Sequence, residues 1–366
     1  MRVIAVANQK GGCGKTTTSI NFAASLAFLQ KKVLLIDLDP QGHSTCGLGV
    51  EVGKDSNTLY DLLTPKRESL SPIFNFFHEI EENLFLIPTH GNLSLIEEEL
   101  AGFSDREKQL KDLLEKIELG GRNFDYVVLD CPPNLGVLTF NALEAADEII
   151  IPIEPSFFSL HGLAKISETL AQVNQHRNQA IEIHALLTLF DSRTHFAQEV
   201  YEEVKIHFDE KLFKAIIHED VLLKEAAGSG QSIVQYDQDS QAFRDYFNLA
   251  IEYLERQLDR MLPPQKLGWD RVVENHFGPR RVLGGVLFQA LSRNARWVEI
   301  AGDFNNWVPE PLARRTDEGL WQKIIPISNG KYRYKFIVDG EWQIDPFQPH
   351  QQLNAYGTMD SFLEIA

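Results

Sequence analysis

In Lys10-Gly11-Gly12-Cys13-Gly14-Lys15-Thr16-Thr17, three glycines fall within four positions and a lysine and two threonines follow. Glycines let successive backbone N–H groups turn inward on a polyanion, and a helix opening directly behind them adds partial positive charge at the same point. The chemistry such a run suits is phosphate capture, with Lys15 on the outer phosphates and the Thr16 hydroxyl on Mg²⁺. A glycine-rich turn with a chance lysine is the plain alternative. The apolar strand before the run and the helical pattern after it argue against that reading.

Three acids belong to the same chemistry. Asp37 and Asp39 follow the apolar run Leu34-Leu35-Ile36, and Asp130 closes Tyr126-Val127-Val128-Leu129. Carboxylates at the ends of buried parallel strands point into the crevice at the sheet's carboxyl edge, where Asp130 can hold Mg²⁺ through water. For Asp39, a helix or turn cap ahead of Pro40 is the competing role. A second group is aromatic: Trp307 and Trp342 lie in the turn-like settings Asn305-Asn306-Trp307 and Asp339-Gly340-Glu341-Trp342, where a buried ring is unusual.

The elements that must position these residues follow from periodicity. Apolar runs predict strands over 3–7, 33–36, 84–87, 126–129, 149–153, 183–189 and 213–217, several without polar alternation, as in strands buried on both faces. Helical periodicity spans 17–29, 93–119, 161–174 and 241–261. The expected fold is α/β, a doubly wound, mostly parallel sheet of the P-loop NTPase kind. Pro263, Pro264 and Gly268 then stop the last helix. Beyond them come short alternating runs over 281–289, 297–302, 320–327, 332–338 and 361–365, which predict a small all-β, immunoglobulin-like sandwich. The domains expected are 1–261, a linker over 262–279, and 280–366.

The 366 residues carry a net charge of −17, and hydrophobic residues make up 43% of them. No apolar run reaches the roughly 18 residues of a membrane span, and the apolar start leads straight into the glycine run, so it reads as a strand and not as a leader. Cys13, Cys46 and Cys131 lie in separate segments without metal or disulfide spacing. A soluble, cytoplasmic protein is expected. Up to residue 268 there are 24 basic against 40 acidic residues, while the remainder is nearly balanced at 11 against 12. Excess acid in the first part opposes non-specific attraction to a polyphosphate.

With its additional Lys10, the first motif resembles the deviant Walker A loop of the ParA/MinD family, and the resemblance runs over about residues 1–260. Leu34-Leu-Ile-Asp37-Leu-Asp39-Pro-Gln-Gly42 is similar to the family's switch I, Tyr126–Asp130 to its Walker B strand, and Pro132-Pro-Asn-Leu-Gly136 to switch II. The resemblance implies an ATPase that is weak alone, uses ATP and Mg²⁺, forms a homodimer on ATP binding, and is stimulated by a ParB-like partner. By the same token Lys10 reaches the partner's ATP, Asp39 positions or activates the attacking water, and Asp37 supports the Mg²⁺ shell. The segments 187–194 and 221–226 resemble the Soj-like partition subgroup, and the membrane helix of the cell-division subgroup is missing. Partition ATPases bind DNA through a Pro-Arg-Asn-x-Arg segment; here the matching stretch is His218-Glu219-Asp220-Val221-Leu222, without either arginine. Each lost phosphate contact weakens DNA binding, so DNA is disfavoured as a partner, with Lys224 and Arg193 left to support it.

Residues 281–366 resemble carbohydrate-binding module family 48, the glycogen-binding module of AMP-activated kinase β-subunits and branching enzymes. The matching residues are Val298–Trp307, Gly330–Trp342, Asp345-Pro346 and Asn354–Thr358. The resemblance implies an α-glucan as ligand, with Trp307 and Trp342 as stacking platform, Lys335 and Thr358 bonding hydroxyls, and Tyr356 packing on the sugar. Asp360 replaces the asparagine of the kinase-type module and loses an amide donor. The alternatives are that both tryptophans are sandwich core, or that the module is a protein contact.

Overall fold

The computed structural model describes residues 1–53, 56–64, 72–121, 123–156, 169, 173–174, 177, 180–261, 279–282, 285–292, 295–314, 320–345, 348, 350–354 and 358–365. The chain divides into two compact units, Met1–Tyr253 and Leu254–Ala366, a division that falls inside the helix Gln241–Met261. The expected linker over 262–279 and the expected helix over 161–174 lie mostly outside the described residues.

In chain order the first unit holds β1 (Arg2–Val6), α1 (Lys15–Phe28), β2 (Val33–Asp37), α2 (His43–Gly47), α3 (Leu59–Leu63), β3 (His78–Glu81), β4 (Leu84–Ile87), α4 (Ile96–Leu100), α5 (Gln109–Leu119), β5 (Tyr126–Asp130), α6 (Val137–Ala145), β6 (Glu148–Ile153), β7 (Glu182–Phe190), α7 (His195–Phe208), β8 (Leu212–His218), α8 (Leu222–Gly228), α9 (Ile233–Tyr236) and α10 (Gln241–Met261). The described strands form one sheet in the order β3-β4-β2-β5-β1-β6-β7-β8, parallel except for the edge strand β3. All five residues of β2 are buried, as are all six of β6, which is why these runs show no polar alternation. Helices α5 and α6 cover one face through Leu110, Leu113, Leu114 and Leu143, all in the same core cluster as Leu34 and Val127. Register sets Asp37 directly beside Asp130 at the carboxyl edge.

The expected helix over 93–119 is not continuous. A 3₁₀ turn over Gly91–Leu95 runs into α4, and α5 begins only at Gln109. Between them Gly102, Ser104 and Asp105 favour turns over helix, and the apolar period carried by Leu93, Ile96 and Leu100 lapses until Leu110. Among the described residues, no helix is long and apolar enough to cross a membrane.

The second unit is all β: β9 (Arg280–Val282), β10 (Gly285–Leu291), β11 (Val298–Gly302), β12 (Glu310–Pro311), β13 (Ala313–Arg314), β14 (Leu320–Ile325), β15 (Gly330–Val338), β16 (Glu341–Gln343), β17 (Gln351–Leu353) and β18 (Met359–Ile365). Two antiparallel sheets result, β13-β14-β10-β9 and β12-β11-β15-β18-β17, with β16 paired to β15. The single strand expected over 281–289 is two antiparallel strands, β9 and β10, with Val282 paired to Gly285 and Arg281 to Val286. Phe288, Trp321, Tyr334 and Phe336 fill the core. The two-residue alternation of β15 sends Tyr334 and Phe336 inward and leaves Arg333 and Lys335 on the outer face.

Candidate functional site

β1 ends at Val6 and α1 begins at Lys15, so the glycine run spans a short arch over the carboxyl edge of the sheet. Gly14 occupies the helix N-cap in a left-handed conformation, φ 83°, which a side chain would strain. Gly11 and Gly12 face open space: a Cβ built on either meets nothing within 4 Å. The arch is braced from outside by the Thr188 hydroxyl, which donates to the Cys13 carbonyl at 2.9 Å. Asn8 ties its start to β6, donating to Pro152 O at 2.7 Å. Lys15 is buried, and its ammonium donates to Lys10 O at 2.9 Å across the mouth of the arch.

The acids converge below it. Asp130 is fully buried and accepts from Ser44 Oγ at 2.6 Å and Ser19 Oγ at 3.0 Å, with the Thr16 hydroxyl as a further donor. Asp37 accepts from the Thr45 amide at 2.8 Å, the Thr45 hydroxyl at 2.7 Å and the Asp39 amide at 3.1 Å. Asp39 is buried alongside and accepts from the Gln41 amide at 3.0 Å. Burial, and then the neighbouring Asp130 charge, push Asp37 up to about 7. Burial raises Asp130 too, against the pull of its hydroxyl donors.

Adjacent buried carboxylates whose ionisation is this unfavourable make a site suited to a hard divalent cation. With the open glycine arch above, the residues present fit a magnesium-bound polyphosphate. Cys13 and Cys131 are buried, and burial raises both thiols, Cys131 well above its ordinary value, so neither is poised as a nucleophile. Lys10 pairs within its own chain with the Glu154 carboxylate and with Ser156 Oγ, the latter at 2.6 Å.

The structure thus brings Lys10 through Thr17, Asp37, Asp39 and Asp130 to one sheet edge. Sequence reasoning missed Ser19, Ser44, Thr45 and Thr188, which orient these groups. Ser44 and Thr45 had a signal, since they open the helix directly after the Asp39-Pro40 turn. At the stretch matched to the DNA-binding segment, the His218 ring meets Asp245 at 2.9 Å. Arg193 donates through Nε and Nη2 to both oxygens of Asp191, at 2.8 and 2.9 Å.

On the second unit, Trp307 and Trp342 stand with ring centres 6.3 Å apart and planes inclined by 34°. Neither belongs to the core cluster, and Trp342 is 49% exposed. They line a cavity of about 1110 Å³ together with Arg333, Lys335, Asn354 and Thr358. Lys335 donates to Thr358 Oγ1 at 3.0 Å and pairs with Asp360 at 3.2 Å. The Asn354 amide donates to Thr358 Oγ1 and to Asp360 Oδ1, both at 2.7 Å. Asp360 is therefore buried as an acceptor holding Lys335 and Asn354 in place. Tyr356 lies outside the described residues.

Comparison with known proteins agrees with both halves. The family model of an AAA domain matches residues 1–183, and that of the glycogen recognition site of AMP-activated protein kinase matches residues 290–366. The chain is 41% identical to sporulation initiation inhibitor protein Soj of Bacillus subtilis over 252 residues, covering 69% of this chain and 97% of that protein. It is 39% identical to chromosome partitioning protein ParA of Myxococcus xanthus over 257 residues, covering 70% and 88%. Among solved structures, cobyrinic acid a,c-diamide synthase from Mycobacterium smegmatis with a bound ATP analog and magnesium superposes with a TM-score of 0.59 at 30% identity, over 73% of this chain and 97% of that one.

Proposed function

The chain belongs to the ParA/Soj family of partition ATPases, and from that premise we propose an ATP-hydrolysing, dimerising switch whose C-terminal module holds it on an α-glucan such as glycogen. Its working parts are 1–261 for the switch, 262–279 as connection and 280–366 for the tether. The amides of the glycine arch take the phosphates, and the Lys15 ammonium turns from Lys10 O to their outer oxygens. Thr16 and Asp130 are the residues to hold Mg²⁺, with Asp37 supporting its water shell. Bound there, the ion neutralises charge on the transferred phosphoryl group. Asp39 orients the attacking water and accepts its proton. In the dimer each Lys10 leaves Glu154 and Ser156 for the partner's nucleotide, and a ParB-like activator raises turnover.

The observation that carries the glucan reading is the pair of solvent-facing indoles beside a preset ammonium, hydroxyl and amide. Sugar faces present C–H groups to aromatic rings while their hydroxyls take hydrogen bonds from nearby polar groups. Consecutive sugars of an α-linked glucan turn relative to one another and suit inclined rings, whereas a flat β-linked chain asks for coplanar ones.

A second reading is a chromosome or plasmid partition ATPase whose sandwich binds protein instead of sugar, favoured by what the relatives are called. Against it stand the Glu219 and Asp220 acids and the pairing of Arg193 with Asp191. Sedimentation with glycogen, run for wild type and Trp342→Ala beside a DNA shift assay with ATP, separates the two. Retention on glycogen lost in Trp342→Ala is expected. Retention on DNA with none on glycogen would overturn the tether.

A further inference from the structure

Trp307 adopts an unusual backbone conformation for a bulky residue. It and Asn306 are consecutive non-glycine residues in the left-handed region, φ 60° and 55°, a geometry that persists only where surrounding contacts over-determine it. The contacts are present. The Trp307 amide donates to Gly302 O at 2.9 Å, closing the turn. Gly302 is forced by crowding, since a Cβ there would lie 2.6 Å from Arg333 O and 2.7 Å from Tyr334 Cβ.

The ring itself is held by one side chain. Asp303 Oδ1 accepts from the indole Nε1 at 2.8 Å, while Asp303 Oδ2 accepts from the Arg333 amide at 2.8 Å and from its Nε at 3.1 Å. Arg333 Nη2 closes the fork on Oδ1 at 3.2 Å. Burial alone would raise the Asp303 carboxyl, and the Arg333 and Trp307 donors overcome it to hold the group below its ordinary range.

We infer that Asp303 is the positioning residue of the sugar platform: anchored on β15 through Arg333, it fixes the Trp307 indole at its inclination to Trp342 before any ligand arrives. This rests on the glucan reading given above. A ring fixed in advance spares the ligand the entropy of ordering it, so affinity depends on a carboxylate that need not touch sugar. The Asp303 oxygens are taken up by the indole and the guanidinium, which leaves the ring face, and not the acid, for the ligand.

The test is titration of the full chain with maltoheptaose followed by NMR, which also reads the indole Nε1 proton of Trp307. Wild type must bind; if it does not, the glucan reading falls, and the inference about Asp303 falls with it. Given binding, Asp303→Ala is expected to weaken affinity about tenfold and shift the Trp307 Nε1 proton, with near-ultraviolet circular dichroism and unfolding midpoint little changed. Placed in a Trp307→Ala background, the same change is expected to alter affinity less than about twofold, because its effect runs through the ring. Should Asp303→Ala fail to fold, Asp303→Asn keeps one acceptor in the same volume and is expected to weaken binding about threefold. Affinity within about twofold of wild type for the folded variant, or an equal loss with and without Trp307, would overturn the assignment.

Discussion

Replacing Asp37 with asparagine is expected to stabilise the nucleotide-free protein at pH 8 and to leave it unchanged at pH 5. Asp37 is fully buried beside Asp130, and burial first, the Asp130 charge second, move its pKa from 3.8 to about 7. A folded-state pKa above the unfolded one means that the folded chain keeps a proton the unfolded chain has released. Stability from this group therefore falls as pH climbs from about 4 through 7. Integrated, the carboxyl costs about 1–2 kcal/mol at pH 5 and about 4 kcal/mol at pH 8. Asparagine removes that cost, but its amide nitrogen cannot accept from the Asp39 N–H as Oδ1 now does at 3.1 Å. Losing that bond costs about 1–2 kcal/mol, which cancels the gain at pH 5 and leaves about 2–3 kcal/mol at pH 8. Thermal unfolding of the N-terminal unit reads this directly, since each kcal/mol moves the midpoint of a domain of this size by about 2–4 °C. Magnesium with ATP should restore wild type at pH 8 more than it does Asp37→Asn. Parallel pH profiles for the two proteins would refute the reasoning, because the acid pair would then carry no strain for a cation to relieve.

Lys15→Ala is expected to abolish nucleotide binding, whereas Asp39→Ala should bind ATP and dimerise without turning over; size-exclusion chromatography and phosphate release separate them, and normal hydrolysis by Asp39→Ala would remove its assigned role. Trp342→Ala should weaken glucan binding by about 2 kcal/mol, roughly 30-fold, because the residue, 49% exposed, offers on the order of 100 Å² for a sugar to cover; calorimetric titration checks it. Gly302→Ala should destabilise the sandwich by about 1–3 kcal/mol, since the added methyl meets backbone at Arg333 O and not a flexible side chain; denaturant unfolding measures it.

What could be read in the sequence was what is contiguous. The strand, the glycine arch and the helix follow one another directly between Arg2 and Phe28, because phosphate capture needs consecutive amides at a helix start. Asp37 and Asp130 were legible as acids closing apolar runs. Their orienting partners were not: Ser44 and Ser19 reach Asp130 across 86 and 111 positions, and Thr188 reaches Cys13 across 175. Nothing local marks a serine for such service. Strand β3 was missed because His78–Glu81 lies at the sheet edge with no fully buried residue, so it has no apolar signature. On the second unit the tryptophans stood out by their turn settings, while Asp303 became visible only once β15 placed Arg333 beside it.

Isothermal titration of the purified full chain with ATP, with and without magnesium, tests the phosphate cradle most directly. Saturable binding that requires magnesium and vanishes in Lys15→Ala is expected. Binding that is absent, or that ignores both the metal and the lysine, would contradict the cradle and with it the dimer and the switch.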